Sequence, residues 1–193
     1  MGREGTGAQD VDARLLGAAR SGDSAAFVDL LRRHDRLLRL VAWQVLGDRD
    51  LMDDALQEVA MKAWRSLDTF RSEAAVSTWL ARITYHAAVD LLRLQRGEQP
   101  VVAGDAANVL WADHDSAGDP ASRLGERDML RAAFAGLSAD QRVTVMLVDH
   151  EGCDYDTVAR VLGVRPGTVA SRLHRARAAL RAALSVATQG DGR

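Results

Sequence analysis

A chain of 193 residues with 47% hydrophobic content has apolar material for one or two packed domains, and its formal net charge of -2 gives it no overall pull toward polyanions. A single cysteine, Cys153, excludes an intrachain disulfide and a thiolate zinc cage. The sequence carries neither a signal-peptide pattern nor a long apolar run, so a cytoplasmic protein without membrane insertion is the expectation.

Met1 to Gln9 is rich in glycine and polar residues, which predicts a disordered tail over 1–10. From Val11 to about Gln95 apolar residues recur at helical spacing without strand-like alternation, and roughly four helices fit. The spacing predicts Val11 to Ala19, then Ser24 to Leu46 with Ser24 as cap and Gly47 as stop. Asp50 to Leu67 and Ser77 to Leu94 follow, with Phe70 to Val76 as the loop between them. In the third helix Met52, Val59, Ala63 and Leu67 share one face, and Asp54, Gln57, Glu58, Met61 and Arg65 share the other. Two readings of that outer face stand side by side. Met61 ringed by acids and amides can be a docking patch, or the face is ordinary surface with Glu58 and Lys62 as an i,i+4 pair. In the fourth helix Trp79, Ile83, His86 and Asp90 line up, so His86 and Asp90 either bond each other in the core or border a ligand groove.

Gly97 to Pro120 holds two of the three prolines, three glycines and five acidic residues, the composition of a linker. Helical periodicity resumes near Ala121 and persists to about Ala187. Its last part reads as two helices joined by Gly163, which suits the left-handed conformation that ends a helix, with Pro166 opening the next. Val169, Leu173, Ala176 and Leu180 fall on one face of that second helix, turning Ala170, Ser171, His174 and Arg175 largely outward. Between Asp156 and Asp191 every charged residue is an arginine: 160, 165, 172, 175, 177 and 181. A one-sign helix pair of this shape suits a helix-turn-helix entering a major groove; a solvated helical hairpin is the bland alternative. All basic residues except Lys62 are arginine, which coding bias explains as readily as a demand for bidentate contacts.

Asp54-Ala55-Leu56-Gln57-Glu58, Ala63-Trp64-Arg65, Leu67-Asp68-Thr69-Phe70, Thr78-Trp79-Leu80 and Asp90-Leu91-Leu92-Arg93 form an ordered set. They are followed across the linker by Gly167-Thr168-Val169 and Ser171-Arg172-Leu173-His174-Arg175-Ala176-Arg177. From about Asp23 to Leu184 the chain resembles the extracytoplasmic-function (ECF) sigma factors, the small two-domain members of the bacterial sigma-70 family. The resemblance implies an all-α protein: a tail over 1–10, a region 2 helical bundle over 11–96, a flexible acidic linker over 97–120, a region 4 helix-turn-helix domain over 121–187 and a tail over 188–193. It implies no enzymatic activity, catalytic site, cofactor, metal or small-molecule substrate. The implied partners are core RNA polymerase, through the beta-prime clamp helices and the beta subunit, promoter DNA and an anti-sigma factor.

By the same resemblance Asp54, Gln57, Glu58 and Met61 dock on polymerase. Lys62, Phe70, Arg71, Ser72, Glu73, Val76 and His86 meet the minus-10 element, where a loop captures a flipped base. Arg165, Thr168, Ser171, Arg172, His174 and Arg175 meet the minus-35 element, and Trp111 is either a linker contact near the polymerase cleft or an aromatic in a disordered segment. Two positions depart from the family pattern: Ala170 stands where Lys or Arg is usual, and His86 where Asn is common. A stand-alone helix-turn-helix regulator would leave the N-terminal block unexplained and normally needs a dimer. Enzyme readings fare worse. Adjacent Asp53 and Asp54 point about 100 degrees apart on a helix, and His150 with Cys153 supplies too few ligands for zinc. Gly2, Gly5 and Gly7 lack the preceding strand of a phosphate loop.

Overall fold

The computed structural model describes residues 4–71, 74–95 and 126–190. Among them the regular structure is helical and no strand occurs. The chain divides into two units, Met1–Pro100 and Val101–Arg193, and the division falls within the acidic stretch read as a linker.

The first unit is built from α1 (Glu4–Arg20), α2 (Ser24–Leu46), α3 (Arg49–Ser66) and α4 (Val76–Gln95), with a 3-10 turn, Leu67–Thr69, closing α3. Helix α1 starts at Glu4, within the stretch expected to be a disordered tail. Extending a helix already packed through Leu16 and Ala19 adds one hydrogen bond per residue fixed, whereas nucleating one is the costly step, so Gly5 and Gly7 do not stop it. The cap of α2 is Asp23 and not Ser24: its carboxylate accepts from the Ala25 and Ala26 amides at 2.9 and 3.1 Å. Gly47, at φ 65°, ends α2 in the left-handed conformation, and Asp48 caps α3 by accepting the Leu51 amide at 3.0 Å. Leu30, Leu80, Val41 and Val59 are fully buried between the helices. Asp12 of α1 ties onto α2, accepting from Arg33 Nε at 2.9 Å and meeting His34 Nε2 at 3.0 Å.

The second unit comprises α5 (Glu126–Ala135), α6 (Ala139–Val145), a π-helical turn (Met146–His150), α7 (Tyr155–Leu162) and α8 (Pro166–Gly190). Helix α8 thus runs past Ala187, where the periodicity ends, into the stretch expected as a second tail. Ser138 and Gln141 form a reciprocal capping box at the start of α6. Asp154 caps α7 through the Thr157 amide at 2.7 Å. Val143, Leu147, Val158, Leu162, Val169 and Leu173 are fully buried, and α8 packs against α5, α6 and α7.

Candidate nucleic-acid interface and docking face

Gly163 ends α7 at φ 68° and ψ 32°, with its amide bonded to the Ala159 carbonyl. The chain reverses there because a left-handed residue breaks the helical repeat, and Pro166 restarts it where its missing N–H costs nothing. With Val169, Leu173 and Ala176 sealed into the core, the first turns of α8 leave Arg165, Ser171, His174 and Arg175 exposed, with Thr168 and Ala170 half-buried at the edge. Arg175 Nε donates to the Ser171 carbonyl at 3.3 Å, and Ser171 Oγ to the Thr168 carbonyl at 2.9 Å. Short hydroxyls and long cations side by side on one exposed helical face are the groups that hydrogen-bond base edges and phosphates.

Two arginines of the run are committed elsewhere. Arg172 Nη2 meets Asp140 Oδ2 at 2.6 Å, with only 14% and 13% of the two side chains exposed. Residue 172 lies beside the buried stripe of α8, so its side chain falls against α6 and joins the two helices. The resemblance sets Arg172 among the minus-35 groups; here its side chain is paired with Asp140 of α6. Its Nη1 is buried with no hydrogen-bond partner among the described residues. Arg177 forms a two-pronged pair with Asp149, beyond reach of any signal in local spacing.

In the first unit the residues expected at the minus-10 loop separate into walls and rim. Phe70 and Val76 are each only 8% exposed and belong to the core, the Phe70 ring lying 4.8 Å from that of Trp79. They flank the loop on either side and are turned inward, as aromatic and branched side chains bury more apolar surface there. Arg71 is exposed, whereas Ser72 and Glu73 lie outside the described residues, as does Trp111. Lys62 sits between two carboxylates, 3.7 Å from Glu58 Oε1 and 3.7 Å from Asp90 Oδ2. Among the described residues His86 and Asp90 are not joined by a hydrogen bond and Nε2 of His86 is buried without a partner, while its ring meets Tyr85 edge-on at 5.4 Å. Burial holds the imidazole below its ordinary pKa, the Arg82, Lys62 and Arg93 cations add to the effect, and Asp90 opposes it.

On α3, Asp54, Gln57 and Arg65 are exposed, Glu58 is half-buried beside Lys62, and Met61 is 46% exposed. One turn from Met61, Trp64 is also exposed and packs edge-on against Phe27 at 5.0 Å. Trp64 appears in the sequence motif, yet its exposure shows only once α2 is seen to cover part of its ring. Arg20 is a further residue that spacing could not reveal: it donates to the Leu67 and Phe70 carbonyls, 47 and 50 residues away.

Among the described residues no three His, Cys, Asp or Glu side chains stand where they could share a metal ion. Half-buried Cys153 has its thiol pushed up by burial and by the neighbouring Glu151 and Asp154 carboxylates, so it stays protonated at neutral pH. No described helix is long and apolar enough to cross a membrane.

A four-helix unit followed by a helix-turn-helix unit with an exposed arginine-bearing face defines a two-module helical DNA-binding protein. Residues 30–98 match the family model of sigma-70 region 2, and residues 127–180 that of sigma-70 region 4. The chain is 38% identical over 169 residues to the ECF RNA polymerase sigma factor SigM of Mycobacterium tuberculosis, spanning 88% of this chain and 82% of that one. It resembles CnrH, solved in complex with the cytosolic domain of CnrY, with a TM-score of 0.65 and 26% identity over 91% of this chain and 98% of the other. It also resembles RpoE of Bartonella quintana, solved with the anti-sigma factor NepR, with a TM-score of 0.61 and 27% identity over 83% of this chain and 97% of the other. The chain belongs to the ECF sigma factors of the sigma-70 family, and its function is that of an RNA polymerase sigma factor in promoter recognition.

Proposed function

We propose that this sigma factor divides its work between its two units. The unit corresponding to 11–96 docks on core polymerase through Asp54, Gln57, Glu58 and Met61, with Trp64 extending the apolar part of the patch. It meets the minus-10 strand with Arg71, Ser72 and Glu73 at the loop rim, backed by Lys62 and His86. The unit corresponding to 121–187 reads the minus-35 duplex through Arg165, Thr168, Ser171, His174 and Arg175, with Arg172 as a strut and the stretch 97–120 as tether. The observation that carries this reading is the first turns of α8, where the apolar stripe is sealed and Arg165, Ser171, His174 and Arg175 are exposed together. With Ala170 half-buried and short, one cationic contact is absent and the face relies on Arg165 and Arg175.

The protein has no catalytic role of its own and works in the cytoplasm, where its polymerase and promoter are. An anti-sigma factor holds it inactive; the NepR and CnrY complexes of its structural neighbours support a protein partner of that kind. The testing experiment is transcription in vitro with purified core polymerase on a pooled promoter library. Enriched transcripts sharing two spaced promoter elements are expected. Transcripts without a shared upstream element, or no co-migration with core polymerase at low salt, would refute the reading.

A further inference from the structure

Arg177 belongs to the arginine run of α8 but is held by the turn that precedes α7. Its Nε donates to Asp149 Oδ2 at 3.2 Å and its Nη2 to Asp149 Oδ1, so one whole edge of the guanidinium faces a single carboxylate. Both side chains stay open to water, 46% and 34% exposed, unlike the largely buried pair of Arg172 and Asp140. An exposed ion pair of this kind adds little to stability and opens readily. Helix α8 is already docked through Val169, Leu173 and Ala176, and the π-helical turn that carries Asp149 is anchored by buried Leu147. The pair is therefore not what holds these elements together.

Arg177 stands one turn beyond His174, two turns beyond Ala170 and one turn before Arg181, on a single flank of α8. His174 and Arg181 are exposed on that flank, and Ala170 puts no charge on it. Tyr155, exposed in the first turn of α7, is a further electrostatic neighbour of the Arg177 guanidinium. In a helix-turn-helix the first helix crosses the phosphate backbone while the second enters the groove, so a cation beside the start of α7 stands on the phosphate side. The edge that Arg177 gives to Asp149 is the one that grips a phosphate through two parallel hydrogen bonds. Carboxylate and phosphate compete for it.

We propose that Arg177 is a further binding residue for the phosphate backbone of duplex DNA, held in reserve by Asp149, which occupies its phosphate-gripping edge. This rests on the reading of α8 as the minus-35 helix. A phosphate contact strengthens binding to every duplex alike, whereas contacts to base edges favour one sequence. Asp149 thus lowers the hold of the chain on DNA in general and leaves base readout to the groups in the first turns of α8.

The test measures binding of the full chain to two labelled duplexes, one with the upstream promoter element and one unrelated, over about 50 to 200 mM salt. Asp149→Asn is expected to tighten both about threefold to fivefold, with a salt dependence steeper by about one ion. In an Arg177→Ala background the same substitution is expected to lose most of that gain. An equal gain in both backgrounds would mean only that a surface negative charge was removed, and would overturn the proposal. Unchanged or weaker binding in Asp149→Asn would overturn it too, the weaker case making Asp149 a support for Arg177. The urea unfolding midpoint is read alongside, and Asp149→Ser takes over should the asparagine variant not fold. Arg175→Ala separates the two levels: unchanged affinity for both duplexes would refute α8 as the DNA-reading helix. A loss on the promoter duplex in Arg175→Ala beside no gain in Asp149→Asn would refute the role of Asp149 and Arg177 alone.

Discussion

His86 carries a buried Nε2 with no hydrogen-bond partner among the described residues, on a ring whose pKa is lowered chiefly by burial. Because the folded state resists protonation that the unfolded chain accepts, stability falls as pH drops below the ordinary histidine value of 6.5. In His86→Gln the loss of stability between pH 7.5 and pH 5.5, measured by urea unfolding, is expected to be smaller than in the parent chain. An equal loss would place the acid sensitivity on other groups. Arg175 faces outward from α8, its Nε bonded to the Ser171 carbonyl. Arg175→Ala is expected to cost about 1 to 3 kcal/mol of minus-35 binding at one base position. A uniform loss across promoter sequences, read by competition among labelled duplexes, would identify a phosphate contact instead.

At the scale of elements, α8 depends on a strut that its sequence does not announce. Asp140→Ala leaves the Arg172 cation largely buried without its counter-charge, which is expected to destabilise the chain by about 1 to 3 kcal/mol, with partial exposure keeping the cost below that of a fully buried pair. Replacing both partners, Asp140→Leu with Arg172→Met, is expected to recover most of that stability, and additive losses in the double variant would contradict a direct pair. The exposed face of α3 calls for the opposite result. Met61→Asp is expected to weaken polymerase binding about tenfold or more with little change in the unfolding midpoint, because nearly half of the side chain already meets water. A matching fall in stability would return Met61 to the core.

At the scale of the whole molecule, the net charge of -2 means that the cationic face of α8 acts against an acidic remainder. Binding to an isolated promoter duplex is therefore expected to be weak and steeply dependent on salt, and polymerase is expected to tighten it about a hundredfold by holding a second attachment. Fluorescence anisotropy with and without core polymerase reads this directly. Tight, specific binding by the chain alone would point to an independent regulator.

The helices of the first unit and the turn at Gly163 were legible in the sequence because they follow from neighbours three or four residues apart, whereas the breaks between α5, α6 and α7 were not. Ser24 to Leu46 was bounded by its own apolar period and Gly47, and Val169, Leu173 and Ala176 announced which side of α8 would be sealed. The outward Ser171, His174 and Arg175 followed from the same geometry. Tertiary structure alone decided which candidate side chains stay available. Arg172 turns to Asp140, Phe70 and Val76 turn into the core, His86 remains apart from Asp90, and Arg20 reaches two carbonyls about fifty residues on. Helical periodicity specifies a face, but whether a charge on its margin meets water or a carboxylate depends on the helix packed beside it, and that neighbour is brought there by burial of apolar surface across long separations.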